Sequence, residues 1–246
     1  MLINKKSLKQ DLTNMGLKST DTVLLHTSMK KIGIVDGGAN SVIEALMEYF
    51  SKGLVCFPAL SWTTAQMEQP VFDVKNTKSI VGLLPEIFRN CSGVIRSWNP
   101  THSMSAYGKD AEEFTQENPV SGTPCGLNSP WHKLIRRDAK ILMVGCDLTS
   151  CTFMHGVEEW CKVPNRLGNP IPYTIILPDG NKIKTDSAAH RTSPSKNYWK
   201  VEEGLHEAGL AKYFPFGDAE TIILNARELF AYLAGCLSLN IKLFDD

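Results

Sequence analysis

Three apolar runs constrain this chain more than any other feature of it. Val23-Leu24-Leu25, Leu54-Val55-Cys56-Phe57 and Ile141-Leu142-Met143-Val144 are unbroken by polar residues. A strand that is apolar on both faces must be covered on both faces, as the inner strands of a parallel sheet are. Between the first two runs, Gly37-Gly38-Ala39-Asn40-Ser41 opens a segment with Val42, Ile43, Leu46, Met47 and Phe50 at helical spacing. Strand, loop, helix and strand in that order form a βαβ unit, so the fold class is α/β with a largely parallel sheet.

The remaining patterns fill in that frame. Leu8, Leu12 and Met15 predict a helix over 5–16. Residues 59–79 are polar and irregular, which suits a substrate loop or a plain connection. A helix is expected over 79–89, capped by Ser79, with Pro85 either in its first turns or kinking it. A short strand follows at Val94-Ile95, then an amphipathic helix over 105–118. Ser129 and Pro130 read as the cap and first position of a helix reaching Arg137. Two β-rich runs around Asp179-Gly180 predict a hairpin over 173–184. Residues 186–200 are polar; a helix over 201–209, a strand at 221–224 and a helix over 225–238 end the chain. No repeat or linker divides it, so one domain over 1–246 is expected.

Composition excludes several classes. The chain has 26 basic and 26 acidic residues and a formal charge of +0, whereas a nucleic-acid binder usually shows a basic excess. No apolar run reaches the length of a membrane span, and Met1 to Lys6 lacks the apolar core of a signal peptide. A cytoplasmic protein, away from membranes, is expected. The 7 cysteines are odd in number and contain no Cys-x-x-Cys pair, which predicts reduced thiols and no metal site. A homodimer is compatible with the sequence.

Candidate chemistry sits after the third apolar run. Gly145-Cys146-Asp147-Leu148-Thr149-Ser150-Cys151 reads as a polar loop, and a helix capped by Thr152 follows. His155 and Glu158, three residues apart, share one face of that helix. A histidine beside a carboxylate, just past the C-terminal end of a strand, is where open α/β sheets place their chemistry. Glu158 can accept from one ring nitrogen and leave the other to take a proton. The same spacing also describes ordinary surface pairs. Two more segments are candidate binding loops. Thr27-Ser28-Met29-Lys30-Lys31-Ile32-Gly33 joins small residues to two cations and suits a phosphate-bearing cofactor, or else a solvated surface loop. Arg96 to Ser103 packs Arg, Ser, Asn, Thr and His together, as a ligand loop or as a turn network around Asn99-Pro100. Neither Gly-x-x-x-x-Gly-Lys nor Gly-x-Gly-x-x-Gly occurs, so no triphosphatase or dinucleotide enzyme is indicated.

Taken together, four stretches resemble the aminoglycoside 3-N-acetyltransferase family. They are Leu25-His26-Thr27-Ser28…Ile32-Gly33, Arg96-Ser97-Trp98-Asn99-Pro100-Thr101-His102-Ser103, Thr123-Pro124-Cys125-Gly126…Ser129-Pro130…Lys133-Leu134, and Gly145…Thr152-Phe153-Met154-His155-Gly156-Val157-Glu158. The resemblance implies a three-layer α/β/α sandwich that binds acetyl-CoA and acetylates an amine of an aminoglycoside or related amino sugar. It places the general base on His155, oriented by Glu158. It places coenzyme contacts on Thr27, Ser28, Lys30, Lys31 and Gly33, and on Arg96, Ser97, Thr101 and Ser103. His102 and Thr152 fall to the amine site, with His102 the rival base. Backbone N–H groups around Thr27 and Ser28 would face the thioester oxygen. Cys125 or Cys151 would carry the acyl group in a covalent variant. The chain departs from many members at Thr149 and Cys151, which replace an Asp and an Asn, and at Asn99, which replaces a histidine. A biosynthetic N-acyltransferase acting on another amine, or a coenzyme-binding relative without catalysis, are the alternatives.

Overall fold

The computed structural model describes residues 2–117, 120–191 and 194–245. Position 118, the end of the helix expected over 105–118, and positions 192–193 of the polar 186–200 segment lie outside them. The strands are β1 (Thr22–Thr27), β2 (Leu54–Pro58), β3 (Val71–Asp73), β4 (Ile95–Arg96), β5 (Met104–Gly108), β6 (Lys140–Val144), β7 (Ile171–Ile176), β8 (Lys182–Ser187), β9 (Lys212–Phe216) and β10 (Ala219–Asn225). The helices are α1 (Lys5–Asn14), α2 (Met29–Ile32), α3 (Gly38–Tyr49), α4 (Leu83–Phe88), α5 (Ala111–Thr115), α6 (Pro130–Arg136), α7 (Thr152–Trp160), α8 (Glu202–Glu207) and α9 (Ala226–Leu239).

The main sheet has 7 strands in the order β4-β5-β2-β1-β6-β10-β9. The three apolar runs lie at its centre, where β1 pairs in parallel with both β2 and β6. Outward from them the sheet is antiparallel, β5 and β4 on one side and β10 and β9 on the other. The sheet is therefore mixed around a parallel core. Alternate residues of β1 explain the layers. Val23 and Leu25 pack with Leu8 and Leu12 of α1, Val42 and Leu46 of α3, and Leu84 and Phe88 of α4. Leu24 faces the other way, into Trp131 and Leu134 of α6, Phe153 and Val157 of α7, and Leu229 and Leu233 of α9. The result is an α/β/α sandwich.

The hairpin β7–β8 leaves this frame and pairs with β3 in a second, 3-stranded sheet, around its own cluster of Phe72, Val74, Tyr173 and Ile175. Several local expectations change. The helix over 105–118 is instead β5, a turn and then α5, because Gly108 and Asp110 adopt positive φ of 111° and 57°. That backbone cannot continue a right-handed helix. The helix expected over 79–89 begins only at Leu83, with Gly82 at its N-cap, and the Ser79 N–H donates to Glu86 at 2.7 Å instead of Ser79 capping the helix. Thr152 is the first residue of α7, not its cap; Cys151 holds the cap position without a side-chain bond. Strand β9 has no strand pattern in the sequence, because Lys212-Tyr213-Phe214-Pro215-Phe216 mixes a charge and a proline into its apolar residues.

Candidate active site

The three parallel strands point the same way, so their C-terminal ends open into one cavity of about 720 Å³. From β1 come His26 and Thr27, from β2 and its continuation Pro58 and Leu60, and from the loop after β6 Cys146, Thr149 and Ser150. Thr152 and His155 enter from the start of α7, and His102 from the polar loop before β5. Trp62, Ala65 and Gln66, from the long 59–79 stretch, and Val81 and Pro85 complete one wall. The far side is built by Ala189, His190, Arg191 and Ser195. Residues 166–168 run antiparallel to 189–191, with Leu167 bridged to His190 and the Arg191 N–H donated to the Arg166 carbonyl. This pairing holds His190 over the cavity.

Three imidazoles converge there. The rings of His155 and His190 stack at 4.6 Å with 27° between planes, and His190 meets His102 edge-on at 4.6 Å. Burial lowers all three below the ordinary imidazole range. For His102 and His155 the neighbouring imidazoles add to this, and for His155 and His190 the Arg166 charge does too; His190 falls to about 4. Burial alone takes His26 to about 3. The cluster is neutral near pH 7, as ring nitrogens must be if they are to accept protons.

His155 and Glu158 do lie on one helix, but Tyr198 stands between them. Its hydroxyl lies 2.9 Å from Nδ1 of His155 and donates to Oε2 of Glu158 at 2.6 Å. The other carboxylate oxygen accepts from Nε of Arg166 at 2.6 Å, and Arg166 continues to Asp245 at 2.7 Å. Glu158 is 1% exposed; burial raises its pKa while Tyr198 and Arg166 oppose the rise. With its proton given to Glu158, the Tyr198 oxygen accepts from Nδ1–H of His155. Nε2 then keeps the lone pair. The link expected directly between His155 and Glu158 thus runs through the Tyr198 hydroxyl. Tyr198 and His190 carry no local signal, since they lie far from His155 in the chain, and Arg166, though nearer, sits outside any helix or strand.

The structure separates the other expected residues. Thr27, His102 and Thr152 line the cavity with His155. Ser28 follows the strand, but its N–H already donates to the Val144 carbonyl at 2.8 Å, so it does not serve as a donor to an oxyanion. Lys30 and Lys31 are exposed on α2 beyond it. Gly33, at φ 95°, presses against the Asp218 carboxylate, where a Cβ would not fit. Arg96, Ser97, Thr101 and Ser103 are buried beneath the wall. Arg96 reaches Ser103 and the carbonyls of Val74, Thr77 and Ala59. The Ser97 hydroxyl accepts from the Met104 N–H, and the Ser103 hydroxyl donates to Ala59. Asn99 accepts from Thr101 and from the His102 N–H, while its amide donates to the Thr123 carbonyl. These residues brace the loop that presents His102. A possible set of metal donors among the described residues is Cys125, Glu159 and His190, within 4.8 Å of one another. Both Glu159 oxygens already accept, from the Thr123 hydroxyl and the Cys125 N–H, and burial holds the Cys125 thiol protonated.

Comparison with known proteins points to one family. Residues 24–238 match the family described as aminoglycoside 3-N-acetyltransferase. Aminoglycoside N(3)-acetyltransferase IX of Micromonospora chalcea is 30% identical over 98% of this chain and 95% of its own. Aminoglycoside N(3)-acetyltransferase VII of Streptomyces paromomycinus is 29% identical over 92% and 88%. Among solved structures, YokD from Bacillus subtilis superposes with a TM-score of 0.84 at 25% identity, covering 98% of this chain and 95% of its own. AAC-IIIb, solved as a binary complex with CoASH, gives 0.85 at 23% identity, covering 97% of each chain. A mutant of AAC(3)-IVa in complex with apramycin gives 0.82 at 23%, covering 98% and 95%. No helix among the described residues is long and apolar enough to cross a membrane. With a match over most of its length and a cavity at the ends of its parallel strands, the chain belongs to the aminoglycoside 3-N-acetyltransferase family.

Proposed function

We propose that this acyltransferase moves an acetyl group from acetyl-CoA to an amine of an aminoglycoside or related amino sugar, with His155 as general base. One observation carries the reading: the chain from Arg166 through Glu158 and Tyr198 ends on Nδ1 of His155 and leaves Nε2 unprotonated beside the cavity. Nε2 takes a proton from the amine as its nitrogen bonds to the thioester carbon. His155 can return that proton to the sulfur as the C–S bond breaks. General-base help of this kind is worth roughly 10²–10⁴-fold, and the shared cavity supplies the positioning.

The coenzyme is assigned to the loop after β1. The apolar wall of Pro58, Leu60, Val81 and Pro85 suits the neutral arm of a CoA thioester, and Thr27 lies beside it. Ser28, Lys30, Lys31 and Gly33 follow directly, and the two exposed lysines would meet phosphates. Arg96, Ser97, Thr101 and Ser103 would support that site from below. His102 and Thr152 would face the amine. Proteins of the same fold have been solved with CoASH and with aminoglycosides, which supports an acetyl-CoA donor and a small amine acceptor in general.

His155→Ala tests it through release of free thiol from acetyl-CoA with kanamycin- and gentamicin-type amines and amino sugars as acceptors. Turnover should fall by about 10²–10⁴-fold, with acetyl-CoA affinity within about twofold of the parent. Unchanged turnover removes His155 from the chemistry.

A further inference from the structure

We propose that the acceptor is a monoamine carrying an anionic group, such as a phosphorylated amino sugar, held with its anion at Arg191 and its ring on Trp62, and not a polycation. This rests on the acetyl-transfer reading and narrows its substrate class. The described lining residues give a polycation no counter-charge. They include no carboxylate; the one formal charge among them is the cation Arg191. A ligand with several ammonium groups would meet this wall without a carboxylate to balance any of them.

Three acids next to lining residues are already engaged. Glu158 is spent on Arg166 and Tyr198, and Glu159 on Thr123 and the Cys125 N–H. The Asp147 carboxylate accepts from the backbone N–H and the hydroxyl of Thr149. Four imidazoles, His26, His102, His155 and His190, line the cavity and are neutral, so they carry no negative charge to balance a set of ammonium groups.

Two further features favour an anionic sugar. Arg191 is exposed at the cavity wall, and among the described residues its guanidinium has no carboxylate partner, whereas Arg166 beside it in space is bound at both ends. A guanidinium with its fork free is suited to a phosphate or carboxylate. Trp62 lines the same cavity and is 42% exposed, an aromatic face open to the apolar side of a sugar ring.

Glucosamine 6-phosphate, glucosamine and kanamycin serve as probes, each scored twice: by thiol release from acetyl-CoA and by equilibrium binding to the protein without coenzyme. The expected order in both is glucosamine 6-phosphate, then glucosamine, then kanamycin, with at least tenfold between the first and the last. Arg191→Ala should reduce the ratio of glucosamine 6-phosphate to glucosamine in kcat/KM about tenfold, and leave the KM for acetyl-CoA within twofold. Kanamycin binding as tightly as the phosphorylated sugar overturns the inference, whether or not thiol is released. So does an unchanged ratio in the variant, or a raised KM for acetyl-CoA with both acceptors, which would assign Arg191 to the coenzyme. Preferential binding of the phosphorylated sugar without any thiol release upholds the acceptor class and instead defeats the acetyl-transfer reading.

Discussion

The hydroxyl of Tyr198 lies 2.9 Å from Nδ1 of His155, across 43 residues of sequence. The same oxygen donates to Glu158, so one atom sets which nitrogen of the imidazole carries the proton. The rings themselves pack edge-on at 5.2 Å, and Tyr198 also rests on Phe244 at 4.8 Å.

Tyr198→Phe therefore keeps the packing and removes only the hydroxyl. A hydrogen bond to a charged group is worth about 1.5–3 kcal/mol, so kcat should fall about 10- to 150-fold. The KM for acetyl-CoA should hold within about twofold, and the pH profile of kcat should move because Nδ1 loses its fixed partner. A variant with parental kcat and profile would show that the tautomer is set some other way.

Arg166 is the second test of that chain. Its Nε bonds Glu158, which is 1% exposed, and its far end bonds Asp245, whose side chain is 40% exposed. Removing one member of a buried pair leaves a charge without a partner, at a cost of about 3–5 kcal/mol. Arg166→Met should lose that much in urea unfolding. Adding Glu158→Gln to it should restore part of the loss, because the orphaned charge is gone. Losses that simply add would mean that the pair acts as two independent contacts.

The parallel core is legible in the sequence because each central strand is apolar on both faces, a pattern that leaves little choice of environment. The pairing of His155 with a carboxylate on one helix is legible from the i, i+3 spacing. What stands between them is not, since Tyr198 arrives from a short 3-10 helix, Pro194–Val201, far along the chain. His190 is similar: it is placed by backbone pairing of 166–168 with 189–191, a long-range event that local sequence does not encode. The β5–α5 region reads as a single helix because its apolar residues also fit helical spacing, and only the positive φ of Gly108 and Asp110 splits it into two elements. Arg96, Ser97, Thr101 and Ser103 share residue types with a ligand loop. A dense set of donors and acceptors equally satisfies a buried turn, and burial decides between the two.

The neutral histidines predict acid sensitivity. His26 titrates near 3 in the folded chain, below its ordinary 6.5, because burial disfavours the cation. A folded-state pKa lowered in this way means that the unfolded chain takes the proton first. Stability is then full above about pH 6.5 and is lost as pH falls from there toward the folded value. Between pH 6.5 and 5 one such group accounts for about 2 kcal/mol. His102, His155 and His190 shift the same way and add to the slope. Urea unfolding at pH 7.5 and 5 should show the loss, and His26→Leu should lose about 2 kcal/mol less than the parent over that interval. A parent stability independent of pH over this range would mean that these rings take up protons as readily in the folded chain as in the unfolded one.

The thiols around the site decide between direct and covalent transfer. Cys151 at the start of α7 and Cys146 at the cavity are each pushed up to about 12, chiefly by burial, and Cys125 is raised well above the ordinary thiol value by burial and then by Glu159. At pH 7.5 the thiolate, which is the attacking form, is a very small fraction of each. Direct attack by the amine then predicts initial-velocity lines that intersect as both substrates are varied. Incubation with labelled acetyl-CoA and no amine should leave the protein unlabelled. Cys151→Ser and Cys125→Ala should each retain kcat within about fivefold, the residual change coming from packing next to His155 and Glu159. Parallel lines together with a labelled protein would move the chemistry to a cysteine, and His155 would then serve to activate that thiol instead of the amine.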